Sequence, residues 1–203
     1  SGNKAAGHVE WGVPSSMLPE GMSANVLWTP RNSGGMINDK STGGAVSVGT
    51  EGGFDITVGT TGLADGLNVF AGYSETSMDH KSFNDKESQV IGATYAVGPA
   101  TVGYQMSTSE TGAVSSGVSE YDNEAYGINF AVNDNLSISY ATHKSDKKYA
   151  DSTTAVQMEL DSLQLSYTMG GATVSIAETE GENLKYNSAS DKDGTTVALS
   201  LAF

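Results

Sequence analysis

Hydrophobic and polar residues alternate along most of the chain from residue 53 onward, in runs of about eight residues. Such alternation is typical of β-strands with two unlike faces. Two further strands are suggested by the alternation of 22–28 and by the stretch 44–59, which fits either one strand with a bulge or two strands. The sequence therefore predicts a single all-β domain over 1–203 with ten or eleven strands. Its clearest strands are 54–60, 67–74, 88–97, 100–107, 124–132, 136–143, 158–169, 172–179 and 195–203.

The connections between these strands are sorted by length. Short turns, such as Gly98-Pro99 and Gly170-Gly171, alternate with four long polar loops. A soluble sandwich has no reason to place every long connection at one end, whereas bacterial outer-membrane barrels have short turns on one side and long loops on the other. We therefore predict a transmembrane, antiparallel, up-and-down β-barrel over 22–203, with 1–21 unplaced. The predicted outer loops are 75–87, 108–123, 144–157 and 180–194.

The two faces of the predicted strands differ in chemistry. One face is mostly aliphatic and aromatic and is predicted to point outward into lipid. The opposite face carries short, uncharged side chains, with Phe70 as an exception. Narrow barrels fill their interiors with side chains, so this composition favours the wall of a wide, water-filled channel. The predicted pore-lining residues are Asn68, Thr94, Gln105, Asn129, Ser137, Ser139, Gln164, Ser166, Thr173 and Ser175.

Aromatic residues on the outward face are sorted by height. With the short turns at the periplasmic end, one group falls near the loops and another near the turns, and aliphatic residues fill the space between them. Two aromatic girdles around an apolar belt are expected at the two interfaces of a membrane. The predicted girdle residues are Tyr73, Tyr104, Tyr126 and Tyr140 at the loop end, and Tyr95, Phe130, Tyr167 and Phe203 at the turn end.

The last strand alternates apolar residues up to a terminal aromatic, with Val197, Leu199, Leu201 and Phe203 on one face. It resembles the signal that outer-membrane proteins present to the barrel-assembly machinery. Together with segments 121–130 and 133–141, it makes residues 53–203 similar to the C-terminal part of Gram-negative general porins, most of all the alphaproteobacterial kind. The resemblance implies sixteen strands, a homotrimer and an inward-folded loop with charged residues at a constriction. Either further strands precede Ser1, or the barrel is a smaller one.

Composition narrows the set of partners. The 203 residues contain no cysteine, which excludes disulfide scaffolds and cysteine-ligated zinc, and the net charge of −14 argues against nucleic acid. No segment is typical of a transmembrane helix or signal peptide. The four predicted loops contain thirteen carboxylates and seven basic residues. This excess predicts an acidic vestibule and a mild preference for cations.

Three acidic residues at the loop end, Glu159, Asp161 and Glu178, have outward parity. They could meet divalent cations that bridge lipopolysaccharide, or a bulge could turn them inward. The segment 191–194 has a fragment of a calcium-loop pattern and is predicted to be a turn.

The candidates for chemistry are few. His8, His80 and His143 are isolated, so we predict no catalytic residues, no metal site and no cofactor. The predicted function is passive diffusion of small hydrophilic solutes and ions through a bacterial outer-membrane porin in contact with lipid and lipopolysaccharide. A surface adhesin or receptor barrel without an open lumen is the alternative, followed by a soluble secreted β-protein and a barrel hydrolase.

Overall fold

The protein is an eleven-stranded antiparallel sheet in which every strand pairs with its neighbours in sequence. A computed structural model describes residues 8–32, 50–78, 84–115 and 117–201. Two short 3-10 segments, Ser15–Met17 and Leu184–Tyr186, accompany the strands. The strands are β1 Val9–Gly12, β2 Met22–Asn32, β3 Thr50–Thr60, β4 Leu67–Met78, β5 Lys86–Val97, β6 Ala100–Glu110, β7 Val118–Asn133, β8 Leu136–Tyr149, β9 Met158–Met169, β10 Ala172–Glu182 and β11 Lys192–Leu201.

The sheet has the up-and-down topology that the sequence predicts, and it is open. Among the described residues, β1 and β11 do not pair with each other. No helix in the described ranges is long and apolar enough to span a membrane. From β2 to β11 the strands contain 10 to 16 residues, and about 9–11 tilted residues suffice to cross a bilayer. The all-β prediction and the strand count are therefore confirmed.

The short turns lie where the sequence predicts them because their residues favour tight reversal. Gly98 and Gly170 adopt positive φ angles of 56° and 60°, which glycine reaches without a Cβ clash. The side chain of Asn133 accepts hydrogen bonds from the backbone N–H groups of Asn135 and Leu136, at 2.9 and 3.0 Å. Such local bonds stabilise a turn and fix the register of the strands that it joins.

At the other end the strands are longer than predicted. β4 continues to Met78 and β8 to Tyr149, so the connections are shorter than the predicted loops 75–87, 108–123, 144–157 and 180–194. Charged residues remain in the ladder because they pair across it: Lys144 Nζ lies 3.1 Å from Glu159 Oε1. The 191–194 segment, predicted to be a turn, is mostly strand, because β11 begins at Lys192.

The N-terminal part is clearer in the structure than in the sequence. Part of the unplaced segment 1–21 forms β1, which pairs with β2 from Val9↔Trp28 to Gly12↔Asn25. The 44–59 stretch contributes to one strand, β3, which has a register shift between Thr50 and Gly52. The beginning of that stretch lies outside the described residues.

The sheet has no hydrophobic core. None of the apolar residues in the described ranges is buried. Most of the large hydrophobic side chains of the strands lie together on one face, the apolar face, where Leu165 pairs with Ile138 on β8 and Ile176 on β10. Leu165 is 43% exposed and Ile176 44% exposed. An apolar face this extensive requires an apolar surrounding, and a lipid bilayer supplies one.

Two substitutions at neighbouring positions test this facing. Leu165→Arg places a charge on the apolar face, at a cost of roughly 2–4 kcal/mol near the bilayer midplane, and should prevent assembly. Ser166 has the opposite facing and pairs with Ser137 and Ser175, so Ser166→Arg should assemble. Heat-modifiable electrophoretic mobility after refolding into lipid measures the folded fraction. Equal tolerance of both substitutions would contradict the assigned faces.

Candidate functional site

The face opposite the apolar one, here called the polar face, carries all ten predicted pore-lining residues. The register pairs Asn68 with Thr94, Asn129 with Ser139, Ser139 with Gln164, Ser137 with Ser166, Ser166 with Ser175, and Thr173 with Thr168. Gln105 lies between Gly92 and Ala125. Their role in lining a pore remains a prediction.

Small hydroxyl groups on this face bond to one another across the strands. Ser166 Oγ lies 2.8 Å from Ser175 Oγ, and Thr168 Oγ1 lies 2.9 Å from Thr173 Oγ1. A hydroxyl both donates and accepts, so each of these side chains retains capacity for water. The polar face can therefore support a water layer.

Phe70, the aromatic exception on this face, covers a glycine. Phe70 pairs with Gly92 on β5. A Cβ atom added to Gly92 would lie 2.4 Å from Cζ of the Phe70 ring. The ring thus occupies the space that a side chain at Gly92 would fill, which explains why an aromatic residue is accommodated among small polar ones.

The connection between β10 and β11 folds back onto the polar face. We call residues 183–190 the docked segment. Asn183, Lys185 and Tyr186 have positive φ angles of 50°, 59° and 61°, a region that costs non-glycine residues about 1–3 kcal/mol each. Local bonds hold this backbone: the amide N of Asn183 donates to Asp191 Oδ1 at 2.8 Å, and its side-chain amide donates to the Gln157 carbonyl at 2.8 Å.

Tyr186 anchors the docked segment to the wall. Its hydroxyl lies 2.8 Å from Ser145 Oγ, and its ring centroid lies 5.8 Å from that of Tyr121. The Lys147 ammonium lies over the Tyr186 ring, 4.7 Å from its centroid, and 5.3 Å from the centroid of the Tyr149 ring. Ser145 is only 1% exposed. Tyr186 is therefore held by ring, cation and hydroxyl contacts together.

The Tyr186 anchor has no signal in the sequence. Ser145 and Tyr186 are 41 residues apart, and nothing in the local pattern marks either as a partner of the other. The general-porin resemblance implied an inward-folded loop, but it pointed to no residue. Leu184 of the docked segment lies close to Gly181. A Cβ atom added to Gly181 would lie 2.8 Å from Leu184 Cδ2 and 3.0 Å from Leu160 Cδ2.

Tyrosines of the loop-end girdle donate hydrogen bonds toward the loops. Tyr104 Oη donates to Glu124 Oε1 at 2.6 Å, and Tyr140 Oη donates to Asp161 Oδ1 at 2.6 Å. Tyr73 Oη donates similarly to Glu75, at 3.0 Å. Each ring thus lies on the apolar face with its hydroxyl directed at a carboxylate, the arrangement expected at a membrane interface.

The register resolves the facing of the three loop-end carboxylates. β9 and β10 pair continuously from Ala172↔Met169 to Glu182↔Glu159, without a shift. Glu159, Asp161 and Glu178 therefore lie on the apolar face, and no bulge turns them toward the polar one. Thr195 donates to Glu178 at 2.7 Å, so these carboxylates form part of a polar border above the hydrophobic belt.

The remaining girdle and assembly residues also lie on the apolar face. Tyr126 pairs with Tyr104 and Phe130 with Ile138. Tyr95, Tyr140 and Tyr167 are 42%, 43% and 44% exposed, not sealed in a core. Val197, Leu199 and Leu201 pair with Ile176, Val174 and Ala172, and Phe203 lies outside the described residues.

Most of the carboxylates that were predicted to form an acidic vestibule in the loops lie elsewhere in the structure. Nine of the thirteen carboxylates counted in the predicted loops lie in strands, and the register puts them on the apolar face. The acidic vestibule is therefore not formed where it was predicted, and the cation preference itself stays a prediction. These nine are Glu75, Glu87, Glu110, Glu120, Asp122, Asp146, Glu180, Glu182 and Asp193.

Fewer of these carboxylates lie in the connections than in the strands. In the 150–157 connection, the hydroxyl of Thr153 donates to Asp151 Oδ1 at 2.6 Å and its backbone N–H donates at 3.0 Å. These bonds favour the charged form and lower the pKa of the Asp151 carboxyl. Asp151 is thus an anion at neutral pH.

The histidines remain separate. His143 lies on the polar face between Ala125 and Leu160, His8 precedes β1, and His80 is outside the described residues. Within the described ranges, no group of three or more histidines and carboxylates could hold a metal ion.

Comparison with solved structures identifies the fold of this chain, whereas sequence comparisons find no match. No protein-family model matches the sequence, and no curated protein matches it. The outer-membrane channel DcaP of Acinetobacter baumannii superposes with a TM-score of 0.65 at 10% identity, over 96% of this chain and 60% of that one. A porin superposes with a TM-score of 0.58 at 14% identity, over 97% of this chain and 60% of that one. The fold is that of an outer-membrane β-barrel protein.

A third neighbour has a different length. The NanC porin matches with a TM-score of 0.50 at 11% identity, over 97% of this chain and 92% of that one. This chain thus spans about three-fifths of the DcaP and porin chains but nearly all of NanC. DcaP is described as an outer-membrane channel and the other two neighbours as porins, and the likeness to all three is one of fold.

The tyrosine hydroxyls offer a test of the loop-end interface. Tyr140→Phe removes the bond to Asp161, and we expect the free energy of unfolding to fall by about 1 kcal/mol. Tyr167→Phe is the matched control at the turn end, where the hydroxyl has no hydrogen-bond partner among the described residues, and it should change stability by only a few tenths of that amount. Urea unfolding in phospholipid vesicles measures both. Equal losses would contradict the interface role of the Tyr140 hydroxyl.

Proposed function

We propose that the chain forms part of the wall of a bacterial outer-membrane porin through which small hydrophilic solutes and ions diffuse passively. In this proposal it is the C-terminal part of a sixteen-stranded general porin of the alphaproteobacterial kind. The apolar face contacts lipid, and the polar face lines a water-filled lumen. The channel and porin descriptions of its structural neighbours support the proposal.

One observation carries this proposal. Within the described residues, a single antiparallel sheet separates a face of large apolar side chains, bordered at the loop end by charged residues, from a face with many small hydroxyl and amide side chains, and no apolar side chain is buried. A soluble protein would bury the apolar face against a second layer. Only the polar face is suited to contact water along its length, and small neutral groups there wet a lumen without binding solutes tightly.

The docked segment provides a constriction in this proposal. It lies on the polar face near the loop end, held by Tyr186 against Ser145 and Tyr121. On a lumen-facing wall, a segment in this position reduces the open cross-section. It would play the part that the general-porin resemblance assigns to an inward-folded loop.

The proposal also names partners. Exposed aliphatic residues on the apolar face fit lipid acyl chains, and the tyrosine and carboxylate border above them fits the lipopolysaccharide headgroup region. The alternating residues of β11 fit recognition by the barrel-assembly machinery, and a homotrimer is the assembly implied by the resemblance. The proposal assigns no enzymatic reaction and no cofactor to the chain.

Single-channel recording tests the proposed function. The full-length native protein, purified in detergent and added to planar lipid bilayers, should give stepwise, long-lived conductance. A surface adhesin or receptor barrel with a closed lumen would insert without conductance steps, and that result would overturn the porin proposal. Purification without detergent would identify a soluble protein instead.

Tyr186→Ala tests the constriction. Loss of the ring contact and of the bond to Ser145 should release the docked segment and raise single-channel conductance by up to about twofold. Tyr186→Phe retains the ring and loses only the hydroxyl, so it should give a smaller rise. Conductance equal to that of the native protein in Tyr186→Ala would show that the docked segment does not restrict the lumen.

A further inference from the structure

Charged residues from β4 to β11 are segregated by face. Every carboxylate on these strands lies on the apolar face. The polar face of the same strands carries three lysines and no carboxylate: Lys86 opposite Thr76, Lys147 opposite Tyr121, and Lys192 opposite Gly181. On β1 and β3 the polar face carries Glu10 and Asp55, so the positive sign belongs to β4–β11, where it is opposite to the net charge of −14.

The three lysines share one end of the sheet. Lys86 is the first residue of β5, Lys192 is the first residue of β11, and Lys147 lies near the end of β8. All three positions are at the loop end of their strands. They are distributed over the width of the wall, with Lys147 and Lys192 on either side of the docked segment.

Among the residues that the structure describes, no carboxylate neutralises the lysine ammonium groups of this face. Lys147 contacts the rings of Tyr186 and Tyr149, and no carboxylate of the described ranges forms an ion pair with it, with Lys86 or with Lys192. A cation on an aromatic face keeps its full charge.

The lysines of the other face are paired instead. Lys144 Nζ lies 3.1 Å from Glu159 Oε1, and Lys148 Nζ lies 3.1 Å from Glu120 Oε1 and also contacts Asp122. The cations that are free to act on a solute are thus those of the polar face.

From this segregation we propose that the loop end of the polar face attracts small anionic solutes, so that the pore favours anions over cations. The inference rests on the proposed porin function. The charges nearest a permeating ion dominate its energy, because salt screens charges beyond a Debye length of about 8 Å at physiological ionic strength. The outward carboxylates are separated from the lumen by the thickness of the wall, whereas the three ammonium groups face it.

Lys147 supplies the most defined contact in this proposal. It lies between the docked segment and the wall, where Tyr186 and Tyr149 hold its ammonium group in place. A carboxylate or phosphate group passing the constriction meets a positioned cation there. Lys86 and Lys192 extend the same field along the wall on both sides.

Reversal potentials across a KCl gradient test the proposal with the full-length protein in planar bilayers. We expect the native pore to favour chloride over potassium. The triple variant Lys86→Gln, Lys147→Gln and Lys192→Gln should lower the chloride-to-potassium permeability ratio at least about twofold. The change should be larger near 0.1 M than near 1 M salt, because the Debye length falls from about 10 Å to about 3 Å.

The matched control is the double variant Lys144→Gln and Lys148→Gln, which removes positive charge from the apolar face. It should leave the permeability ratio unchanged. Lys192→Gln alone provides a variant with little risk to folding, since the exposed Lys192 side chain makes no hydrogen bond or ion pair in the described structure. It should shift the ratio in the same direction as the triple variant.

The outcomes separate the two proposals. Absence of conductance in the native protein would overturn the porin function, and the anion preference with it. Channels that conduct normally but favour potassium, or whose ratio is the same in the native protein and the triple variant, would overturn the anion preference alone. An equal shift in the control variant would show that the charge of the polar face is not decisive.

Discussion

The register of the backbone hydrogen-bonded ladder is the constraint on which the rest of this structure depends. Eleven strands pair in sequence order, and the described pairs show register shifts only near Thr50, Val118 and Ala131. In such a ladder each residue has the same facing as its partners on the adjacent strands. Eleven weakly alternating segments thus become two extended surfaces, one apolar and one polar, without any hydrophobic core between them.

Height along the wall is set by a second interaction, the hydrogen bond from tyrosine to carboxylate. Tyr104 and Tyr140 reach Glu124 and Asp161 on the adjacent strands, on the loop side of their own rings. A ring has to lie beside the apolar belt while its hydroxyl lies among polar groups. This pairing defines where the hydrophobic belt ends, and it does so with residues of one face only.

The two faces of the sheet and the height of its aromatic residues follow from local chemistry. The sequence predicted them because turn residues and alternation are local signals. Gly98, Gly170 and Asn133 mark the short turns correctly. The strands were predicted to be too short at the loop end. Lys144, for example, is typical of a loop residue unless its partner Glu159 on the adjacent strand is known. The docked segment depends on the contact between Tyr186 and Ser145, 41 residues apart, and on left-handed backbone at Asn183. No pattern along the chain encodes such a contact.

The charge of the wall shows why composition was a poor guide to selectivity. A net charge is a sum over residues, whereas a permeating ion responds to the charges on one face of the sheet. Lys147 and Lys148 are adjacent in sequence, yet one lies over Tyr186 on the polar face and the other is paired with Glu120 on the apolar face. A shift of the register by one residue would exchange them. The electrostatics of the lumen is therefore determined by strand pairing, and the acidic residues that dominate the composition act mainly on the opposite surface.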